Sequence, residues 1–303
     1  MRKLDPSDLF ELDPDRPELG RPVLIQALDG FIDAGGAKRL AREHLLSTYT
    51  SQVVATFDVD QLLDYRARRP AMLFVEDHWE SYEDPQLAIH LLHDAAGAPF
   101  LVLAGPEPDV QWERFIEAVR LVVDRLGVRL TIGLNAIPMG VPHTRPTGVI
   151  AHGSRKELVA GYEPWVNAVQ VPGTAGHLLE HRLGQAGYDA MGFAVHVPHY
   201  VAQAEYPAAA AALLAEVAKA GDLSLPLDAL HEAAATTRSA IDEQVADAPE
   251  VAAVVQALEN QYDAFLAGRD SSLLLEHADL PTADELGAEL ERFLAEQSDP
   301  PHP

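Results

Sequence analysis

An apolar run, Val23-Leu24-Ile25-Gln26-Ala27-Leu28, stops at two carboxylates and three glycines in Asp29-Gly30-Phe31-Ile32-Asp33-Ala34-Gly35-Gly36. Helical spacing follows at once, with Ala37, Leu40, Ala41, His44 and Leu45 on one stripe. The pattern predicts a strand, a tight turn and a helix. The alternation continues to about residue 220. Strands are predicted over 23–28, 52–57, 71–76, 100–104, 129–137, 148–152, 168–171 and 190–195. Helices are predicted over 34–48, 60–66, 85–96, 109–126, 175–186 and 207–220. Strands separated by helices of this length imply a largely parallel sheet covered on both faces. Trp112, Phe115, Val119 and Val122 recur at helical spacing and are expected in the core.

After Gly221 the strand signals end. Residues 226–267 read as two helices broken at Asp247-Ala248-Pro249, with Pro249 opening the second, where proline is tolerated. Thr282 stands three residues before Glu285, the spacing of a capping box, and predicts a last helix. The chain thus divides into an irregular leader (1–20), an α/β core domain (21–220) and an acidic helical subdomain (221–303). Open α/β sheets bind ligands beyond the carboxyl ends of their strands, so the 29–36 turn lies where a site is expected.

Charge narrows the partners. The 303 residues carry 22 basic and 47 acidic side chains, a net charge of −25, and −15 of it falls in residues 221–303. Such a surface repels nucleic-acid phosphates and anionic lipid, so neither nucleic acid nor membrane is expected as a partner. Cysteine is absent, which excludes disulfides, a thiol nucleophile and cysteine metal sites, and fits a reducing cytoplasm. Met1-Arg2-Lys3-Leu4-Asp5-Pro6 lacks the apolar core of a signal peptide. No run approaches the roughly 18 apolar residues of a membrane span.

Five blocks in order carry a family resemblance. They are Ala27 to Gly36; Phe57-Asp58-Val59-Asp60-Gln61-Leu62-Leu63-Asp64-Tyr65-Arg66 with Ala67 to Pro70; Gly105-Pro106-Glu107-Pro108-Asp109 with Trp112-Glu113-Arg114-Phe115; Gly133 to Pro146; and Gly192-Phe193-Ala194-Val195-His196-Val197-Pro198-His199-Tyr200. Together with the acidic tail they resemble the actinobacterial branch of the proteasome assembly chaperone 2 family, sometimes labelled ATP-grasp. The resemblance implies a three-layer α/β/α sandwich, similar to phosphorylase/hydrolase-like proteins, with a C-terminal helical appendage. It also implies a homo-oligomer, with a trimer favoured, and a role in helping proteasome α subunits assemble. Family members that dock on proteasome rings often end in a hydrophobic-tyrosine-any-residue tail. This sequence ends Ser298-Asp299-Pro300-Pro301-His302-Pro303, so that mode of docking is not expected.

The candidate chemistry leaves alternatives open. The turn holding Asp29, Gly30, Asp33, Gly35 and Gly36 can offer backbone N–H groups to a ligand, or it is a plain turn with Asp33 as helix cap. Neither G-x-x-x-x-G-K-[ST] nor G-x-G-x-x-G occurs, so no nucleotide fingerprint backs the ATP-grasp label. His143, Thr144 and Arg145 sit in a proline-rich loop that suits either an anion or a rigid subunit contact, the latter favoured if Met139 and Val141 are exposed. His177-Leu178-Leu179-Glu180-His181 matches H-x-x-E-H, but no third zinc ligand is announced, and two surface histidines on an amphipathic helix are expected instead. Arg66, Arg68 and Arg69 form the one dense basic cluster, a solvated helix end or a partner for the acidic tail. His196 and His199 flank Pro198 and are expected buried and hydrogen-bonded. With no G-x-S-x-G elbow and no other catalytic signature, no catalytic residue, cofactor or metal is expected. The first reading is therefore a non-catalytic interaction or assembly factor. The alternative is an enzyme or small-ligand binder using the strand-end cleft for a nucleoside-like or phosphorylated molecule.

Overall fold

The apolar strand residues alternate between two separate cores on either face of one eight-stranded sheet. The structure, a computed structural model, describes residues 4–162 and 168–267. Its elements in chain order are β1 (Phe10–Leu12), β2 (Val23–Asp29), α1 (Ala37–Thr48), β3 (Gln52–Phe57), β4 (Met72–Val75), β5 (His78–Tyr82), β6 (Ala88–His93), β7 (Pro99–Pro106) and α2 (Trp112–Leu126). There follow β8 (Leu130–Met139), β9 (Val149–Gly153), α3 (Ala175–Gln185), β10 (Ala190–Pro198), α4 (Pro207–Gly221), α5 (Asp228–Asp247) and α6 (Pro249–Leu266). The strand order is β1-β3-β6-β7-β2-β8-β10-β9, and β4 and β5 form a hairpin of their own.

The central strand β2 shows how the layers arise. Val23, Ile25 and Ala27 meet the buried faces of α1 and α4, while Leu24 and Leu28 share the second core with α2 and α3. A strand covered on both sides reads as an unbroken apolar run, which is what the sequence displays. On α2 the stripe Phe115, Ile116, Val119, Val122, Val123 and Leu126 is buried, and Trp112 is half-buried. The result is a three-layer α/β/α sandwich, with α5 and α6 added at the C-terminal side. Among the described residues no helix is long and apolar enough to cross a membrane.

Several expectations need correction. The sheet is mixed: β2 runs parallel to β7 and β8, and β8 to β10, but β1–β3, β3–β6, β6–β7 and β10–β9 are antiparallel. Residues 85–96, expected as a helix, contain β6. The reason lies in the turn after it. Asp94 accepts hydrogen bonds from the backbone N–H groups of Ala96 and Ala98 and closes a short connection to β7, and a connection that short joins antiparallel neighbours. Ile89 and Leu92 face opposite cores, so no alternation betrays the strand.

Residues 60–66 form no α-helix; one 3-10 turn covers Val59–Gln61, and the N–H groups of Asp109 and Val110 reach back to the Leu62 carbonyl. Residues 168–171 are not a strand, and Val169 and Val171 stand exposed. The leader is not irregular throughout: Leu9 and Phe10 are buried, and β1 pairs with β3 at the sheet edge. The helix expected after Leu280 lies outside the described residues.

Candidate functional site

The ends of β2 and β7, the middle of β8, β9 and the start of α3 enclose a cleft of about 530 Å³. Its walls are apolar: Phe31 and Ile32 from the β2–α1 turn, Ile137 and Ile150 from the sheet, and Val169 and Val171 from the segment before α3. Its floor is polar. Gln26 and Lys38 lie there at 6% and 5% exposure, beside Glu107, Asn135, His152, His177 and Glu180.

Local chemistry explains how these groups are placed. Asp33 accepts the first-turn N–H groups of Lys38 (2.8 Å) and Arg39 (3.0 Å), capping α1 across a 3-10 turn at Ala34–Gly36. This orients the start of α1, and the Lys38 side chain reaches the cleft. Gly30 leaves the space: a Cβ there would lie 3.2 Å from Glu107 Oε2 and 3.4 Å from Lys38 Nζ. Glu107 accepts the backbone N–H of Ala175 at the start of α3, where a carboxylate is favoured. Gly176 lets α3 approach β2, since a Cβ there would come within 2.8 Å of the Gln26 amide. His152 Nδ1 is 2.9 Å from Glu180, and its ring meets that of His177 edge-on at 6.1 Å.

The charges do not close up. Arg42 pairs with Asp29, Glu180 with His152, and Asp33 with two backbone amides. The Lys38 ammonium makes no ion pair or hydrogen bond among the described residues, and neither does the Gln26 amide. Burial pushes the Lys38 amine below the usual lysine range, and the charges of Asp33, Asp29 and Glu107 push back. Burial likewise lowers His177, helped by the neighbouring His152.

The residues singled out in the sequence thus fall into two places. Gly30 lines the cleft, but Asp29 and Asp33 do not: Asp29 pairs with Arg42, Asp33 caps α1, and Gly35 and Gly36 make the turn between them and the helix. His143, Thr144 and Arg145 lie elsewhere and clamp the C-terminal helices. His143 Nε2 is 2.9 Å from Asp242 on α5, and its Nδ1 is 2.6 Å from the Tyr200 hydroxyl. Thr144 donates to Glu259, while Arg145 makes a fork to Asp263 at 2.9 and 2.7 Å and also reaches Glu259. Met139 and Val141 are buried against Tyr262, not exposed.

Of the H-x-x-E-H pair, His181 is exposed but His177 turns into the cleft, so only one is a surface histidine. Among the described residues no three His, Cys, Asp or Glu side chains gather to hold a metal. In the basic cluster Arg68 pairs with Asp109 at 2.9 Å and donates to the Glu107 carbonyl. His196 is buried as expected, but its Nε2 has no hydrogen-bond partner among the described residues.

Sequence reasoning passed over Gln26, Lys38 and Glu107 as site residues. Only the topology brings them together, though a glutamine inside an apolar strand was a visible signal. It also missed the apolar arm. Strands β4 and β5 project with Met72, Leu73, Phe74, Trp79 and Tyr82 all exposed, Trp79 at 62%. Phe74 and Trp79 stack edge-on at 5.0 Å across the hairpin, whose strand residues are exposed on both faces except for half-buried Val75.

Comparison with known proteins follows the same lines. The family model of the PAC2 family matches residues 27–245. A Mycobacterium tuberculosis protein of unknown function is 50% identical, with 98% of this chain and 100% of that one covered and a TM-score of 0.82. A Corynebacterium glutamicum protein of unknown function is 41% identical, over 85% of this chain and 98% of that one, with a TM-score of 0.81. A Mycobacterium tuberculosis proteasome-assembly chaperone homologue is 26% identical, over 77% of this chain and 99% of that one, with a TM-score of 0.71. No curated protein matches. Nothing in these similarities supports an ATP-grasp label. On the strength of the family match and the two relatives above 40% identity, the chain belongs to the PAC2 family.

Proposed function

We propose that this protein is a non-catalytic assembly factor that works in the cytoplasm as a homo-oligomer, a trimer in the first instance, and helps proteasome α subunits assemble. In this reading the sheet from β1 onward and its covering helices, through residue 220, are the core domain, and residues 221–303 are an acidic subdomain of which α5 and α6 are clamped to the core. One observation carries the interaction role: the β4–β5 arm. Two isolated strands are marginal in water, and a hairpin with five large exposed apolar side chains gains little by standing free. Aromatic residues and methionine are what the buried centres of protein interfaces are enriched in. Similarity to a proteasome-assembly chaperone homologue supports the choice of client.

The test is light scattering on the full chain beside native affinity purification, for wild type and for Phe74→Ser with Trp79→Ser. Wild type is expected as an oligomer that carries α subunits from its native host. The double variant, with an unchanged far-ultraviolet spectrum, is expected as a monomer or without the client. An oligomer and client set untouched by the substitutions would remove the arm from the account. A monomeric wild type that recovers no α subunits would remove the proposal itself.

A further inference from the structure

Opposite charges share one corner of the cleft without pairing. The point that a Cβ on Gly30 would take lies 3.2 Å from Glu107 Oε2 and 3.4 Å from Lys38 Nζ, so the two tips stand over the same glycine. They form no ion pair with each other among the described residues. Glu107 uses Oε1 for the Ala175 N–H, which leaves Oε2 as an open acceptor, and the ammonium brings three N–H donors. Both residues are more than nine-tenths buried and both line the cleft. The other charges around the floor are held elsewhere: Asp29 by Arg42, Glu180 by His152, and Asp33 by two helix amides. With Asp33 and Glu107 both anionic beside one ammonium, the corner has no surplus positive charge for an anion to answer. What it lacks is a donor for Glu107 Oε2 and an acceptor for Lys38. Above it stands an apolar chamber, and a volume of about 530 Å³ falls among cavities that take small organic molecules.

From this pairing we propose that the cleft binds a small neutral molecule with an N–H beside a C=O, a carboxamide or lactam, on an apolar body. Its N–H donates to Glu107 Oε2, and its carbonyl accepts from the Lys38 ammonium. Each bond has one charged partner, which makes it stronger than a neutral one. The body lies between Phe31, Ile32, Val169 and Val171, which line the cleft. A carboxylate in the same place sets an anionic acceptor against Glu107 Oε2, and an ammonium sets a cationic donor against Lys38. A hydrocarbon leaves both charged tips without a partner as it excludes water from them. A neutral head is also indifferent to the net charge of −25. This site is independent of the oligomer and of its client.

Isothermal titration of the full-length protein with one body and three heads tests the proposal: 3-phenylpropanamide, 3-phenylpropanoate and 3-phenylpropylamine, with 2-quinolone as the lactam. At least one of the two neutral probes is expected to bind saturably, with the acid and the amine each weaker than the amide by about tenfold or more. Glu107→Gln keeps an acceptor for the Ala175 N–H and turns the open carboxylate oxygen into an amide. It is expected to shift the preference between acid and amide toward the acid by about tenfold or more. Phe31→Ser, at an exposed position of the wall, removes part of the apolar body's seat and weakens the neutral probes even if Glu107→Gln does not fold. Three results would overturn the site: no saturable binding of either neutral probe at millimolar concentration, acid or amine bound as tightly as the amide, or binding unchanged in a folded Glu107→Gln or in Phe31→Ser.

Discussion

Gly35 is the residue on which the β2–α1 turn depends. Its φ is 64°, its N–H donates to the Ala202 carbonyl at 2.6 Å, and its carbonyl accepts from the Tyr206 N–H at 2.8 Å. A Cβ there would fall 2.7 Å from the Tyr206 Cβ, too close for both to stay. Gly35→Ala is therefore expected to cost about 2 kcal/mol or more, from strain and overpacking together. Gly20→Ala is the control. Gly20 has the same φ of 64° but open space around it, and about 1 kcal/mol is expected there. Urea denaturation of the two variants separates the terms. The three glycines were visible in the sequence, but which one is irreplaceable was not, because Tyr206 comes from a distant part of the chain. Lys38 was hidden for a related reason. At the start of a helix it reads as one more surface lysine, and only the approach of Glu107 and α3 buries it.

Among the elements, α5 and α6 are held by few apolar side chains and several polar ones. Leu230, Ile241, Val255, Leu258 and Tyr262 are buried, and the loop after β8 supplies the rest through His143, Thr144 and Arg145. His143 is 4% exposed, and removing it leaves Tyr200 and Asp242 without that partner. His143→Ala is expected to cost about 1–3 kcal/mol. Hydrogen exchange is expected to quicken across α5 and α6 while β2, β7 and β8 keep their protection. Uniform acceleration everywhere would assign His143 to the core instead of the clamp.

The sequence announced these two helices and the break between them, since proline at a helix start has a local cause. It did not announce their seat, which depends on polar contacts between residues more than 90 positions apart. The same division explains the strands. β2, β3 and β8 were legible from runs of apolar residues bounded by turn signals. β6 was not, because its identity comes from pairing with β3 and β7. β5 was invisible because an arm with both faces in solvent has no inside to write into its pattern.

At the scale of the molecule, buried histidines set a response to acid. Burial pushes His90, His177, His196 and His199 below the usual range, His196 to about 4. In the unfolded chain these rings take protons near pH 6.5. Between that value and about pH 4 the unfolded state therefore binds more protons than the folded one, and stability falls as pH falls. A loss on the order of 2–3 kcal/mol from His196 alone is expected between pH 7 and pH 4. His196→Asn, compared by urea titration at both pH values, is expected to flatten that dependence. An equal slope in wild type and variant would show that His196 is not its source. The sheet order carries another consequence, in time. β2 is the first central strand to leave the ribosome, yet its pairing partners for Val23 are Phe100 and Leu130. At about 5–20 residues per second the apolar stretch from Val23 waits roughly 5–20 s for its second partner. A protein of this fold is thus exposed, during its own synthesis, to the hazard of an unpaired sticky strand.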